Sequence, residues 1–157
     1  MLNYLHARVV DLRNSASEAI ERGTLRRSVT TQEERIAIVD DEEVMTSVTA
    51  ALLQRLGYAT VSYNSPSRFM KAFEAAPARI DLVVTDVVMP GITGIQIVRM
   101  LRDAGYDVPI LLMTGYGVQP RLQPGSGLGR ISFVRKPFQS EHLAQSVRRL
   151  LAQERQA

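Results

Sequence analysis

The chain has 157 residues, of which 45% are hydrophobic, and this is enough for one packed domain of ordinary size. It has no cysteine and only two histidines, His6 and His142, so disulfides and thiolate metal sites are excluded, and a zinc site or a Ser-His-Asp triad is disfavoured. The net charge is +3, but acidic residues dominate the centre and basic residues the C-terminal part, which favours a solvated basic helix face over a nucleic-acid site.

The first predicted element is an amphipathic helix from Leu2 to about Arg22. Apolar residues recur there every three or four positions, which is the helical period: Leu5, Val9, Leu12, Ala16 and Ile20. The helix is expected to end at Gly23, and the polar stretch that follows predicts a linker. We therefore divide the chain into an N-terminal helix with its linker, residues 1–34, and a main domain, residues 35–157.

Short apolar runs alternate with helical patterns from residue 35 onward. Roughly 15 to 25 residues separate consecutive runs, which is the length that a crossover between parallel strands requires. The runs are apolar throughout, as in strands that are covered on both faces. The sequence predicts a doubly wound α/β domain with five strands: Ile36–Val39, Ala59–Tyr63, Leu82–Thr85, Pro109–Met113 and Ile131–Val134.

Helical patterns are predicted from Asp41 to Gly57, from Ser65 to before Pro77, from Thr93 to Ala104 and from about Ser140. Each has apolar residues at helical spacing that are expected to face the core. In chain order these are Val44, Val48, Ala51, Leu52 and Leu56; Phe69, Met70 and Phe73; Ile95, Val98 and Leu101; and Leu143, Val147, Leu150 and Leu151.

The stretch between the fourth and fifth strands departs from this pattern. It lacks a sustained apolar period, and proline inside a helix costs about 3 kcal/mol. A short or irregular fourth helix is therefore expected, because five helix breakers interrupt this stretch: Pro120, Pro124, Gly125, Gly127 and Gly129.

Polar residues follow four of the five predicted strands and are expected to meet at the carboxyl edge of the sheet, where ligands bind in such folds. They are Asp40 and Asp41, Asp86, Thr114 and Lys136. Helix capping alone can explain Asp41 but not the whole set. Like charges about 4 Å apart repel by about 4 kcal/mol at an effective dielectric constant of about 20, so the carboxylates favour a hard divalent cation such as Mg²⁺. An aspartate nucleophile, a metal and a nearby ammonium are the parts that phosphoryl transfer needs.

Four motifs in this order resemble the response-regulator receiver domain of two-component signalling. They are Asp40-Asp41, the segment Asp86 to Gly91, the segment Met113 to Gly117, and Lys136-Pro137-Phe138. The resemblance covers about Arg35 to Ala152 and implies a sheet in the order 2-1-3-4-5 with helices on both faces.

The resemblance also implies roles for residues at the site. Asp86 would be the phosphorylated residue, and Asp40, Asp41, Asp86 and the backbone carbonyl of Val88 would bind Mg²⁺ or Mn²⁺. Lys136 would contact the phosphoryl group.

Further positions of the family pattern concern switching and access. Thr114 would be the switch hydroxyl and Phe133 the aromatic switch residue, although Phe133 can equally be a core residue of an edge strand. Gly115 would leave the site open. Tyr116 would shield Asp86 from water, which predicts slow dephosphorylation.

The implied partner is a histidine kinase or a histidine phosphotransfer protein, with output through a downstream protein partner. The chain is then expected to be a signalling domain and not an enzyme, either a single-domain regulator or the receiver of a hybrid kinase. The N-terminal helix can pair two chains, dock on its own receiver or be the tail of an upstream domain; a homodimer is slightly favoured.

No apolar run approaches the roughly 20 residues of a membrane span and no signal peptide pattern is present, so we expect a cytoplasmic protein without membrane or nucleic-acid partners.

Three alternatives compete with this hypothesis. Haloacid-dehalogenase-like phosphohydrolases also use an aspartate nucleophile, but they place a second acid two residues later, where this chain has Val88. A DNA-binding response regulator has only the basic C-terminal part in its favour. A receiver-like scaffold that is never phosphorylated is disfavoured by the complete set of charged residues.

Overall fold

The computed structural model describes residues 33–115 and 128–154. The predicted N-terminal helix, nearly all of its linker, and residues 116–127 of the predicted irregular helix lie outside these residues. The described strands are β1 Arg35–Val39, β2 Ala59–Tyr63, β3 Leu82–Asp86, β4 Ile110–Thr114 and β5 Ile131–Arg135. The helices are α1 Glu43–Arg55, α2 Pro66–Ala75, α3 Gly94–Asp103 and α4 Ser140–Glu154, with a 3-10 turn at Pro77–Arg79.

The five strands form one parallel sheet in the order β2-β1-β3-β4-β5. Strands β1, β3 and β4 occupy its centre, and nearly all of their residues are buried. The register pairs Val39 with Thr85 and Asp86 with Met113, so the carboxyl ends of the central strands are level. The predicted fold class and strand order are confirmed.

Alternate residues of the strands point to opposite faces of the sheet and divide the core into two layers. Helices α2 and α3 cover one face with Phe69, Met70, Phe73, Ile97, Val98 and Leu101. The other face packs against Leu53 of α1 and against Leu143, Val147, Leu150 and Leu151 of α4. The predicted inward faces of α2 and α4 are confirmed, and in α3 Ile97 joins the predicted Val98 and Leu101 while Ile95 is only partly buried.

The predicted inward face of α1 is wrong. Val44, Val48 and Leu56, which the apolar period assigned to the core, have 72%, 48% and 37% of their surface exposed. The buried residues of α1 are instead Thr46, Thr49 and Leu53. Of the other two predicted residues, Ala51 is exposed, whereas Leu52 is partly buried and packs against the core.

A short connection that precedes α1 ties its start to the end of β1. Only residues 40–42 separate β1 from the helix, and the Oδ1 atom of Asp40 accepts a hydrogen bond from the backbone N–H of Glu42 at 2.9 Å. The carbonyl of Glu42 then accepts from the N–H of Thr46 at 3.1 Å. The apolar period of the helix does not report this contact between its first turn and the end of the strand.

Arg102, near the end of α3, anchors the start of β5. Its guanidinium donates hydrogen bonds to the carbonyls of Tyr106 at 2.7 Å, Val108 at 2.9 Å and Leu128 at 2.7 Å. Its side chain is only 11% exposed. One side chain thus joins the end of α3, the entry to β4 and the entry to β5.

None of the helices in the described stretches is both long enough and apolar enough to cross a membrane.

Thr49→Val should stabilise the domain. The Thr49 hydroxyl is buried and has no hydrogen-bond partner among the described residues, and an unsatisfied buried polar group costs about 1–3 kcal/mol. Valine has nearly the same shape, so we expect the free energy of unfolding to rise by about 1 kcal/mol, measured by urea denaturation.

Thr46→Val is the matched control. Thr46 is also buried in α1, but its Oγ1 donates to the carbonyl of Glu43 at 2.8 Å. Replacing it should leave the free energy of unfolding unchanged or lower it. An equal gain for both variants would show that the unpaired hydroxyl of Thr49 is not the cause.

Candidate functional site

Four charged side chains meet at the carboxyl edge of the central strands. Asp40 follows β1, Asp86 ends β3, and Lys136 follows β5. Asp41, next to Asp40, brings a third carboxylate, and one oxygen from each of the three carboxylates lies within 4.8 Å of the others. The sequence analysis predicted this cluster from the strand ends alone.

The cluster is largely withdrawn from solvent. Asp40 is fully buried and Asp86 is 8% exposed, whereas Asp41 is exposed. Asp40 uses both carboxylate oxygens: Oδ1 accepts from the N–H of Glu42, and Oδ2 accepts from the Nζ of Lys136 at 2.8 Å. This carboxylate is therefore fixed in position, while Asp41 offers the open side of the cluster.

Lys136 lies between the two buried carboxylates. Its Nζ is 2.8 Å from Oδ2 of Asp40 and 3.4 Å from Oδ2 of Asp86. The backbone N–H of Lys136 donates to the carbonyl of Thr114 at 2.7 Å, which fixes the lysine to the end of β4. One ammonium thus offsets part of the repulsion between Asp40 and Asp86.

The pKa of Asp86 is raised above its ordinary value. Burial of the carboxyl group is the largest cause; the Lys136 ammonium opposes it, and the Asp40 carboxylate adds to it. Burial would lower the pKa of Lys136, but the hydrogen bond and charge of Asp40 and the charge of Asp86 outweigh it and raise that pKa. Lys136 is therefore held as the ammonium, and the site disfavours the negative charge of Asp86 relative to a carboxylate in water.

The donor set fits a divalent cation. The three carboxylates have oxygens within 4.8 Å of one another, and their combined negative charge exceeds the positive charge of the one ammonium. Carboxylate oxygens are the ligands that Mg²⁺ and Mn²⁺ prefer. Receiver domains generally bind Mg²⁺ at such an acidic cluster. Here Asp40, Asp41 and Asp86 are the residues that would hold the ion.

The remaining predicted residues differ in where they lie. Thr114 is 6% exposed at the end of β4, beside the cluster. Gly115 follows it, and none of the described residues comes within 4 Å of the position that a Cβ would take. Phe133 lies in β5, paired with Leu112, and is 41% exposed, so its ring is not a core residue. Val88, two residues after Asp86, is 58% exposed. Tyr116 lies outside the described residues.

The sequence analysis missed Gly94, which supports the main chain of Asp86. A Cβ on Gly94 would overlap the carbonyl oxygen of Asp86 and lie 3.1 Å from a methyl carbon of Leu112. Its N–H donates to the carbonyl of Val87 at 3.1 Å. A glycine at the first residue of α3, directly after the capping residue Thr93, was the available indication.

Comparison with known proteins gives a consistent result. A family model described as "Response regulator receiver domain" matches residues 36–148. The transcriptional regulatory protein FixJ of Azorhizobium caulinodans is 31% identical over 113 residues, 72% of this chain and 53% of that protein. The CAI-1 autoinducer sensor kinase/phosphatase CqsS of Vibrio cholerae is 30% identical over 134 residues, 83% of this chain and 19% of that protein. The chain thus spans about half the length of the first relative and about a fifth of the second.

A solved structure shares the fold. The crystal structure of a response regulator receiver domain protein from Clostridium thermocellum has a TM-score of 0.72 to this chain, with 22% sequence identity. The match covers 78% of this chain and 97% of that one. At this identity the likeness bears on the fold alone.

Asp86→Asn should stabilise the metal-free domain increasingly as the pH rises. Because the folded-state pKa of Asp86 is raised, its contribution to stability is fully present below the ordinary value of 3.8 and is lost as the pH rises through the raised pKa. Asparagine does not titrate. The gain in free energy of unfolding over the wild type should therefore be larger at about pH 7 than at about pH 4, measured by urea denaturation in EDTA.

Asp103→Asn provides the control for removal of one exposed negative charge, since Asp103 ends α3 and is exposed. The pH dependence of Asp86→Asn is to be compared with that of this variant. A stabilisation that shrinks toward neutral pH would contradict the raised pKa of Asp86.

Proposed function

We propose that Asp86 accepts a phosphoryl group in two-component signalling, because the chain belongs to the response regulator receiver domain family. The donor would be a histidine kinase or a histidine phosphotransfer protein. The observation that carries this proposal is the position of the Lys136 Nζ, 2.8 Å from Asp40 and 3.4 Å from Asp86, beside three clustered carboxylates. Residues 35–157 would form the phosphoacceptor domain and residues 1–34 a separate helix and linker.

The chemistry follows from the arrangement of these side chains. A carboxylate oxygen of Asp86 forms a bond to phosphorus while the bond from phosphorus to the donor's imidazole nitrogen breaks; the electron pair stays on that nitrogen, and a proton on the other ring nitrogen leaves the donor histidine neutral. A bound Mg²⁺ or Mn²⁺ would supply positive charge for the phosphoryl oxygens. Lys136 supplies positive charge from the other side, and Thr114 offers a hydroxyl for hydrogen bonding.

The buried, fixed Asp40 and the exposed Asp41 have different parts in this proposal. Asp40 is held by Glu42 and Lys136, so it can hold a metal ion without moving. Asp41 lies at the open side, where an ion would enter. The carbonyl of Val88 is proposed as a further ligand on the family pattern.

The output would be a change in protein binding. The proposed switch couples Thr114, which would turn toward the phosphoryl group, to Phe133, whose ring is 41% exposed and can move inward.

A cytoplasmic location is part of the proposal, because the kinase needs ATP. The relative named as a transcriptional regulatory protein makes a DNA-binding regulator the second candidate, and a salt-dependent shift with duplex DNA would favour it.

Incubation with acetyl phosphate tests the phosphoacceptor directly. The intact mass should increase by about 80 Da, the mass of one phosphoryl group, and only when Mg²⁺ is present. Lys136→Met, which removes the ammonium but retains Asp86, should slow the reaction about 100-fold.

Asp86→Asn is the matched control and should show no mass increase. A gain that persists in Asp86→Asn would place the modification elsewhere. Absence of any gain in the wild type, with Mg²⁺ bound, would favour the unphosphorylated scaffold.

Tyr116→Ala should shorten the lifetime of the phosphorylated form. Tyr116 comes two residues after Thr114, and a large aromatic side chain there is expected to limit the access of water to Asp86. We expect a loss rate about tenfold faster in the variant, followed by mass spectrometry after the acetyl phosphate is removed. An unchanged rate would show that Tyr116 does not shield the site.

A further inference from the structure

The outer side of α1 has an unusual composition for an exposed helix face. Val44, Val48 and Ala51 follow one another at spacings of four and three, so they lie on one side of the helix, and all three are exposed. We call this row the α1 stripe. Residues 45–54 include no charged side chain, whereas a helix face in water normally carries charged or polar residues. The stripe therefore has the composition of a contact surface.

The charges of α1 lie at its two ends. Glu43 begins the helix and Arg55 ends it, and both residues are exposed. A second helix of the same kind that runs antiparallel places its basic end beside the acidic end of the first, and the two macrodipoles are then also opposed. A parallel helix would place like charges together. The surface that complements the α1 stripe is therefore the α1 stripe of another copy, in the antiparallel direction.

A two-fold axis at the middle of the helix produces this arrangement. Helix α1 runs from residue 43 to residue 55, so its midpoint is level with Thr49, and Val48 lies beside that midpoint on the outer side. In an antiparallel pair centred there, the Val48 side chains of the two copies meet, and Ala51 of each copy lies opposite Ser47 of the other. Side chains this small let packed helices approach to about 8 Å. The contact uses the same surface on both copies, so it closes at two.

The size of this surface sets the expected strength of the contact. Helix α1 has 13 residues and is about 20 Å long. One such helix from each copy buries less than the roughly 1,200 Å² at which interfaces of standard size begin, and interfaces below that size are weak and transient. A dissociation constant on the order of 0.1 mM is therefore expected.

We propose that two copies of this chain associate through their α1 stripes in the antiparallel arrangement. The contact involves none of residues 1–32, so it is distinct from the homodimer that the sequence predicts through the N-terminal helix. It also goes beyond the proposed function, because it does not require Asp86 to be phosphorylated.

Sedimentation equilibrium of the 157-residue chain tests the dimer. Between about 1 µM and about 1 mM, the average mass should rise from near the 17.5 kDa of one copy toward twice that value. Val48→Asp places two negative charges together at the centre of the contact and should raise the Kd by about tenfold or more. Met100→Asp is the matched control, since Met100 is an apolar residue of α3 that is 41% exposed, and it should leave the Kd unchanged.

Charge reversal tests the direction of the two helices. Glu43→Arg alone, or Arg55→Glu alone, places like charges together at both ends of the pair and should raise the Kd about tenfold. The double variant should restore the wild-type Kd. Both of its charges oppose the helix macrodipole, so a recovery comes from the contact between copies and not from a more stable helix. A double variant that does not recover would overturn the antiparallel pairing.

Two further outcomes would overturn the proposal. One is a wild-type chain that remains monomeric at about 1 mM. The other is a dimer that a folded Val48→Asp variant leaves intact, because its contact would then lie outside the α1 stripe. The far-ultraviolet circular dichroism of each variant shows whether it is folded. Asp86→Asn should dimerise with the wild-type Kd, which separates this result from a failure of the phosphoacceptor proposal.

Discussion

The crowding of carboxylates at one edge of the sheet is the constraint on which the rest of the structure depends. Two of these groups, Asp40 and Asp86, are buried, and charges withdrawn from water must be paired. Lys136 provides a single ammonium for both, and this leaves excess negative charge that a cation can neutralise. Burial is the main cause of the raised pKa of Asp86, and the charge of Asp40 adds to it. The domain thus has a local loss of stability at neutral pH where it keeps Asp86 at the carboxyl edge of the sheet.

The same constraint reaches into the neighbouring helix. Asp40 pairs with Lys136 through one oxygen and accepts from the backbone N–H of Glu42 through the other, so the buried carboxylate also ties down the start of α1. In this helix Thr46, Thr49 and Leu53 face the core, while Val44 and Val48 are exposed. The charged cluster and the helix with this exposed apolar surface are therefore joined through one side chain.

Sequence reasoning succeeded where the apolar pattern alone determines the structure. The buried strands and the inward faces of α2 and α4 followed from apolar periodicity, because the apolar rows of these helices pack against the sheet. It failed for α1, where Asp40 binds the backbone of Glu42 and ties the start of the helix to the end of β1, an interaction that apolar periodicity does not report. It also missed Gly94, because the need for glycine arises from a contact with the main chain of Asp86, eight residues earlier, which no apolar or charge pattern reveals. The cluster of Asp40, Asp86 and Lys136 could be predicted because parallel strands bring their ends to one edge whatever the details of packing.

The position of Lys136 is also protected from the least regular part of the sequence. The stretch before β5 contains the prolines and glycines from which an irregular helix was predicted, and β5 pairs in register with β4 from Ile110 to Thr114. Arg102 holds the carbonyl of Leu128 at the start of this strand, and Thr114 holds the N–H of Lys136 at its end. The anchors belong to α3 and β4, and β4 pairs with the strand that ends at Asp86. The lysine is therefore placed relative to Asp86 by bonds from regular elements, at both ends of β5, and its position does not depend on the sequence of the stretch that precedes Leu128.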